Sequence, residues 1–273
     1  MKKSALSALL ALPSIAAGAA YLALTHNVLH ADYTLVDEAL IIIPVENAEY
    51  VQDATNLYLD VAGFDGGTVN TLEMPEVVAG GTLDDAVNQG VQQLVSTVES
   101  DYQANDFSAS EPLYVFGYSQ SSVVMGMAEQ QLADDGIPKD ALNLVMVGDS
   151  ASAEGGFLNS YVDSLPSWLQ PSVIEAFNAF GAGDVLGQTT PDNLYPTEVY
   201  SLSGDGWSIY DNGMNDLGMY SDHLEYLGLT SQEIATAGAP VVDDLTQYFT
   251  IQDSMVNSLE ALWTQLQMAV SVF

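Results

Sequence analysis

The run LVDEALIIIP (35–44) restricts the folds open to this chain more than any other segment. Five consecutive apolar residues, Ala39 to Ile43, cannot alternate between a core and water. Such a run makes a strand covered on both faces, as in a parallel sheet flanked by helices. Pro44 ends it, because proline cannot donate to a ladder. EPLYVFGYS (111–119) and ALNLVMVGDS (141–150) have the same character, and PTEVYSLSGDG (196–206) reads as a further strand.

Between these runs the apolar period changes from two to about four. Residues 83–102 place Leu83, Val87, Val91, Leu94, Val95, Val98 and Tyr102 on one helical face, with Thr82 and Asp85 spaced as a capping box. A second helix is expected over 120–134, turning Val124, Met127, Ala128 and Leu132 inward. Alternating strands and helices of this length predict an α/β fold with a mainly parallel central sheet and helices on both faces. From 151 to 195 the pattern loosens into proline-, tryptophan- and phenylalanine-containing segments, expected to form a small helical cap. Residues 251–273 read as a closing helix, and 32–273 as one domain.

Charge narrows the function. The chain has 37 acidic residues against Lys2, Lys3 and Lys139, no arginine, and a net charge of -34. Binding to nucleic acid needs protein cations to release counterions, so that partner is excluded. Bidentate arginine clamps on phosphates or carboxylates are excluded as well. There is no cysteine, and no Asp-x-Asp/Asn-x-Asp/Asn-Gly loop for calcium. The opening thirty-one residues carry two lysines and then no charge before Asp32, with an apolar run over Leu6–Ile15 and the small triplet Ala17-Gly18-Ala19. This is the layout of a signal peptide or an N-terminal membrane anchor, and it implies secretion or attachment to the cell envelope.

The segment VFGYSQSSVVMGM (115–127) runs from a predicted strand through Gly117-Tyr118-Ser119-Gln120-Ser121 into a predicted helix. This is the layout of the nucleophile elbow G-x-S-x-G, with serine in place of the second glycine. A serine nucleophile needs a base, and His223 is the histidine well inside the domain, since His26 and His30 lie near the apolar leader. An acid between them in sequence would orient the imidazole, the chain order used by α/β-hydrolases. Asp205, after the strand EVYSLSG, is favoured, with Asp149 in VMVGDS as its main rival and Asp211 and Asp222 behind. An oxyanion hole is expected from the backbone N–H groups of Gln120 and, in the loop after the first strand, Val45. This chemistry calls for no metal and no organic cofactor. The triplet Gly148-Asp149-Ser150 resembles the GDS-type lipases, but it lies mid-chain, and Tyr220, not aspartate, stands three residues before His223.

VFGYSQSSVVMGMAEQQL resembles the nucleophile turn of PE-PPE domain proteins, serine α/β-hydrolases related to cutinases and known chiefly from mycobacterial envelopes. LVMVGDSASAEGGFLNSYV, VYSLSGDGW and HLEYLGL resemble later segments of that family, so the likeness spans roughly residues 35–230. The resemblance implies an α/β-hydrolase fold with Ser119 as nucleophile, Asp205 as acid and His223 as base. It also implies esterase or acyl-transfer activity on lipid-like acyl esters. The reading favoured is a serine esterase on short- to medium-chain acyl esters, neutral ones because a surface this negative repels anions. The alternatives are an acyltransferase to a sugar or lipid hydroxyl, or a non-catalytic acidic envelope protein. The chain departs from the family at Pro44-Val45-Glu46, where a Gly-Gly-Thr or Pro-Gly-Thr turn is usual, and at Ile209, where an acid is usual.

Overall fold

A computed structural model describes residues 37–74, 76, 81–213, 215 and 217–270. The expected leader or anchor over 1–31 lies outside the described residues, among which no helix is long and apolar enough to cross a membrane.

Seven strands form one sheet: β1 (Glu38–Ile43), β2 (Thr68–Glu73), β3 (Leu113–Tyr118), β4 (Leu142–Val147), β5 (Thr197–Leu202), β6 (Val241–Asp243) and β7 (Thr246–Ile251). Their order across the sheet is β2-β1-β3-β4-β5-β7-β6. All pairs are parallel except the edge hairpin β6–β7. β1, β3, β4 and β5 are the four strand-forming runs of the sequence.

Because successive side chains on a strand point to opposite faces, each of these runs feeds two cores at once. Leu40, Ile42, Val115, Leu144 and Met146 face one side, against helices α2 (Leu83–Ala104) and α3 (Gln120–Asp134). Ile41, Ile43, Phe116, Val145 and Val147 face the other. That side is covered by α1 (Ala48–Ala54), which continues through a π-helical turn at Thr55–Leu59, and by the segment around Tyr226. Tyr58 is fully buried there, its ring near Phe116 and Tyr200 and its hydroxyl donating to the carbonyl of Tyr226 at 2.8 Å.

The helix expected over 83–102 is α2, and its Thr82–Asp85 capping box forms. Val87, Leu94, Val95 and Val98 are buried as its period requires, whereas Leu83, at the first helical position, is 41% exposed. The expected cap appears as α4 (Phe157–Ser164) and α5 (Gln170–Ala179) between β4 and β5. The closing helix is shorter than expected: α7 (Ser258–Val270) follows a short α6 (Ser231–Ile234) and the β6–β7 hairpin. Residues 251–257 instead finish β7 and form a 3-10 turn.

Acids in this fold find backbone partners instead of cations. Both oxygens of Asp84 accept from the N–H groups of Gly183, Asp184 and Val185, tying α2 to the end of the cap segment. Thr230 and Glu233 form a second capping box on α6. Glu129 on α3 is different: it is fully buried, and among the described residues neither of its side-chain oxygens has a hydrogen-bond partner. Burial first, then the nearby Asp149 and Asp192, push its carboxyl up to about 9. The folded protein therefore holds this proton up to about pH 9, while the unfolded chain releases it near 4.5. Its contribution to stability is full below the unfolded value and is lost as pH rises through the folded one. Glu129→Gln is expected to flatten the decline in urea-unfolding free energy between neutral pH and pH about 9, by up to about 1.4 kcal/mol per pH unit. An unchanged slope would show that the carboxyl is ionised in the fold.

Candidate active site

β3 ends at Tyr118 and α3 begins at Gln120, leaving Ser119 alone in the turn. Its backbone has φ +61° and ψ -121°, a conformation costly for any residue with a Cβ. The surroundings hold it there. Ser119 N–H donates to the carbonyl of Val147 on β4 at 2.9 Å. Ser121, in the place of the second motif glycine, accepts from the N–H of Tyr118 at 2.8 Å and donates to its carbonyl at 2.9 Å. The buried hydroxyl of Ser122 donates to Gly117 O at 2.8 Å and accepts from Val147 N–H at 3.2 Å, stitching β3 to β4 below the turn. Gly117 leaves room for the turn: a Cβ there would lie 2.4 Å from the sulfur of Met125 and 3.0 Å from the backbone of Ser121.

His223 sits in a 3-10 turn (Asp222–Leu224) and is buried. The structure brings its Nε2 to 2.8 Å from Ser119 Oγ and its Nδ1 to 2.8 Å from Asp205 Oδ2. With Nδ1–H donating a hydrogen bond to Asp205 Oδ2, the Nε2 lone pair faces the serine hydroxyl. Asp205 follows β5, is fully buried, and has every contact matched by a donor. Its Oδ1 accepts from Trp207 N–H at 2.9 Å, and its Oδ2 from the hydroxyls of Ser208 at 2.9 Å and Tyr226 at 2.8 Å.

The rival acids lie elsewhere. Asp149 is buried, but it accepts from Ala151 N–H at 2.9 Å and from the Thr190 hydroxyl at 2.7 Å, and burial raises it to about 6. Asp222 accepts from the hydroxyl of Ser221, and Asp211 is exposed. Glu225, two residues past His223, is also buried; desolvation and then Asp222 raise it to about 7.

Several residues that shape the site were not among the predicted site residues. Tyr226 accepts from Leu202 N–H at 2.8 Å while donating to Asp205, and so joins the end of β5 to the acid. Tyr118 donates its hydroxyl to the carbonyl of His223 and accepts from the Gln265 amide of α7 at 3.2 Å. Gly148 has φ +61°, and a Cβ there would press within 3.2 Å of the His223 ring and 3.0 Å of Tyr226. The sequence signal for Tyr226 was its place three residues after the histidine in HLEYLGL.

Val45, 46% exposed, and Gln120 line one cavity of about 410 Å³ together with Ser119 and His223. Gln120 opens α3, so its N–H has no acceptor within the helix and is of the kind that serves an oxyanion. A smaller cavity of about 280 Å³ meets the same serine and histidine from the side of α2 and the cap. Among the described residues no group of acids and histidines could hold a metal ion.

The strand order and the strand–serine–helix turn are those of an α/β-hydrolase fold. A domain model described as "PE-PPE domain" matches residues 66–212, which include Ser119 and Asp205 and stop short of His223. Two proteins of Mycobacterium tuberculosis are similar in sequence. An uncharacterized PPE family protein, PPE28, is 28% identical over 239 residues, covering 80% of this chain and 33% of that protein. Esterase PE16 is 26% identical over 167 residues, covering 57% of this chain and 28% of that protein. The chain thus spans about a third of the length of these relatives. Among solved structures, a lipase/esterase from Lactobacillus plantarum aligns with TM-score 0.41 at 15% identity, over 87% of this chain and 86% of that one. A cutinase-like protein from Cryptococcus sp. aligns with TM-score 0.39 at 16% identity, over 71% of this chain and 97% of that one. With more than half of its residues matched by the domain model, this chain belongs to the PE-PPE domain family.

Proposed function

We propose that the chain is a serine esterase that hydrolyses neutral esters of short- to medium-chain acids through Ser119, His223 and Asp205. The observation that carries this reading is the unbroken series of hydrogen bonds from Ser119 Oγ through His223 to a buried, fully satisfied Asp205. The similarity to a mycobacterial esterase supports it.

In this reading Ser119 Oγ attacks the ester carbonyl as His223 Nε2 takes its proton. Asp205 keeps the imidazole in the required tautomer and stabilises the imidazolium. The N–H groups of Gln120 and Val45 hold the oxyanion, and His223 returns the proton to the leaving alcohol. Water then enters by the same route to release the acid. An acceptor alcohol in place of water would make the product a new ester, which is the acyltransferase variant of the same chemistry. Export through the apolar leader is part of the reading.

Four results are expected. A fluorophosphonate probe labels the wild type and leaves Ser119→Ala unlabelled; equal labelling of the two would remove the serine from this role. Asp205→Asn lowers kcat by about 10⁴ when measured on a short ester, since the wrong tautomer then faces Ser119. Tyr226→Phe strands the buried Leu202 N–H and removes one donor to Asp205. Urea titration should show a loss of about 1–3 kcal/mol, and kcat/KM should fall by about tenfold or more. Finally, since long-range charge does not steer a neutral substrate, hydrolysis of neutral esters changes little between low and moderate salt. A steep loss in an ester assay over that range would oppose the neutral-substrate part of the reading.

A further inference from the structure

Ser119, Gln120 and His223 line both cavities, so the reacting centre stands where two pockets meet. The larger pocket, about 410 Å³, is walled by Ile42, Ile43, Met74, Leu224, Leu227 and Met268. The smaller, about 280 Å³, is walled by Leu83, Val87, Val123, Leu158, Val185 and Trp207. The walls come from different elements: β1, the 3-10 turns Asp222–Leu224 and Tyr226–Gly228 and α7 for the larger, α2, α3 and the cap for the smaller.

An ester carbonyl has two substituents, the acyl chain and the alkoxy group, which diverge from the carbon that Ser119 attacks. Two apolar pockets meeting at that carbon provide separate room for each. Asn47 and Gln265 add neutral polar groups to the larger wall. Among the described residues no lysine lines either pocket, and Glu76, in the larger, is the one acidic side chain on either wall. Lys139 precedes β4 and therefore lies at the opposite end of the parallel sheet from Ser119. A phosphorylated or carboxylated donor would enter a pocket with no compensating charge.

Building on the esterase reading, we infer that the substrate is a neutral ester with an apolar chain on each side of the scissile carbonyl, and that an apolar alcohol can take the second pocket as acyl acceptor. In the transfer step the alcohol oxygen bonds to the acyl carbon of acyl-Ser119 and His223 takes the alcohol proton. The bond from Ser119 Oγ to that carbon breaks, and the proton passes to Oγ, restoring the serine. The products are the new ester and free enzyme, with no other reactant.

The test uses the full chain and four esters dispersed in a neutral detergent: ethyl acetate, ethyl octanoate, octyl acetate and octyl octanoate. Each methylene brought into an apolar pocket is worth about a fourfold gain, so lengthening either side is expected to raise kcat/KM by about tenfold or more. Independent pockets make the two gains multiply in octyl octanoate. Leu83→Trp and Leu224→Trp place bulk at partly exposed positions, one on each pocket wall. Each should suppress the gain in one series, and the two should act on opposite series. With octanol added to ethyl octanoate, octyl octanoate should form alongside octanoic acid. A gain on one side only, an octyl octanoate rate no better than the faster single-chain ester, or both variants flattening the same series would overturn the two-pocket inference. Formation of octanoic acid alone would overturn the acceptor role. Fluorophosphonate labelling separates this from the esterase reading: a labelled protein with flat chain-length dependence fails the inference alone, and an unlabelled one fails both.

Discussion

The left-handed turn at Ser119 is the constraint on which the rest of the site depends. A residue with a Cβ at φ +61° costs on the order of 1–3 kcal/mol, and that strain persists only where neighbouring contacts outweigh it. Three serines and a glycine do so here. Ser119 N–H and the Ser122 hydroxyl anchor the turn to β4, Ser121 clasps both backbone groups of Tyr118, and Gly117 lets the first turn of α3 close against the strand. The serine hydroxyl is thereby held at the carboxyl end of the sheet, within reach of a histidine more than a hundred residues away. Because Ser121 supplies hydrogen bonds that a glycine could not, the departure from G-x-S-x-G adds fastening.

A second constraint is the near-absence of cations. A fold this acidic cannot neutralise its carboxylates in pairs, so it satisfies them with backbone N–H groups and hydroxyls. Asp84, Asp85 and Glu233 bind helix ends and loop backbones in this way. Asp205 uses the same donors, one backbone N–H and two hydroxyls, and this leaves the His223 ring as its sole partner that can carry charge. Where donors run out, as at Glu129, the carboxyl keeps its proton instead. Burial raises interior carboxyls and hydrogen-bond donors offset that rise, as Thr190 and Ala151 do at Asp149.

Much of the architecture could be read in the residues. β1, β3, β4 and β5 are buried on both faces, which β1, β3 and β4 show as apolar runs and β5 through Val199, Tyr200 and Leu202, and α2 carries its capping box and its period openly. The elements that escaped reading have weaker local signals. β2 is an edge strand with a largely exposed, polar sequence, TVNTLE. β6 is three exposed residues. The segment before α7 becomes strand because β5 is available to pair with it, residue against residue from Thr197–Thr246 to Leu202–Ile251. Pairing of that kind is a property of the assembled sheet.

The order of Ser119, an acid and His223 along the chain was determined by the sequence alone, as were the fold class and the strongly acidic charge balance. Those follow from local pattern and charge, which need no third dimension. With acids so plentiful, however, chain order left Asp205 and Asp149 both open on the residues themselves. Only the tertiary structure decided between them, because a hydrogen bond requires a 2.8 Å approach and β5, Tyr226 and Gly148 together bring Asp205, not Asp149, to the histidine. The meeting of two apolar pockets at the serine has the same origin: their walls come from segments far apart in the chain, and no local pattern records which of them will face each other.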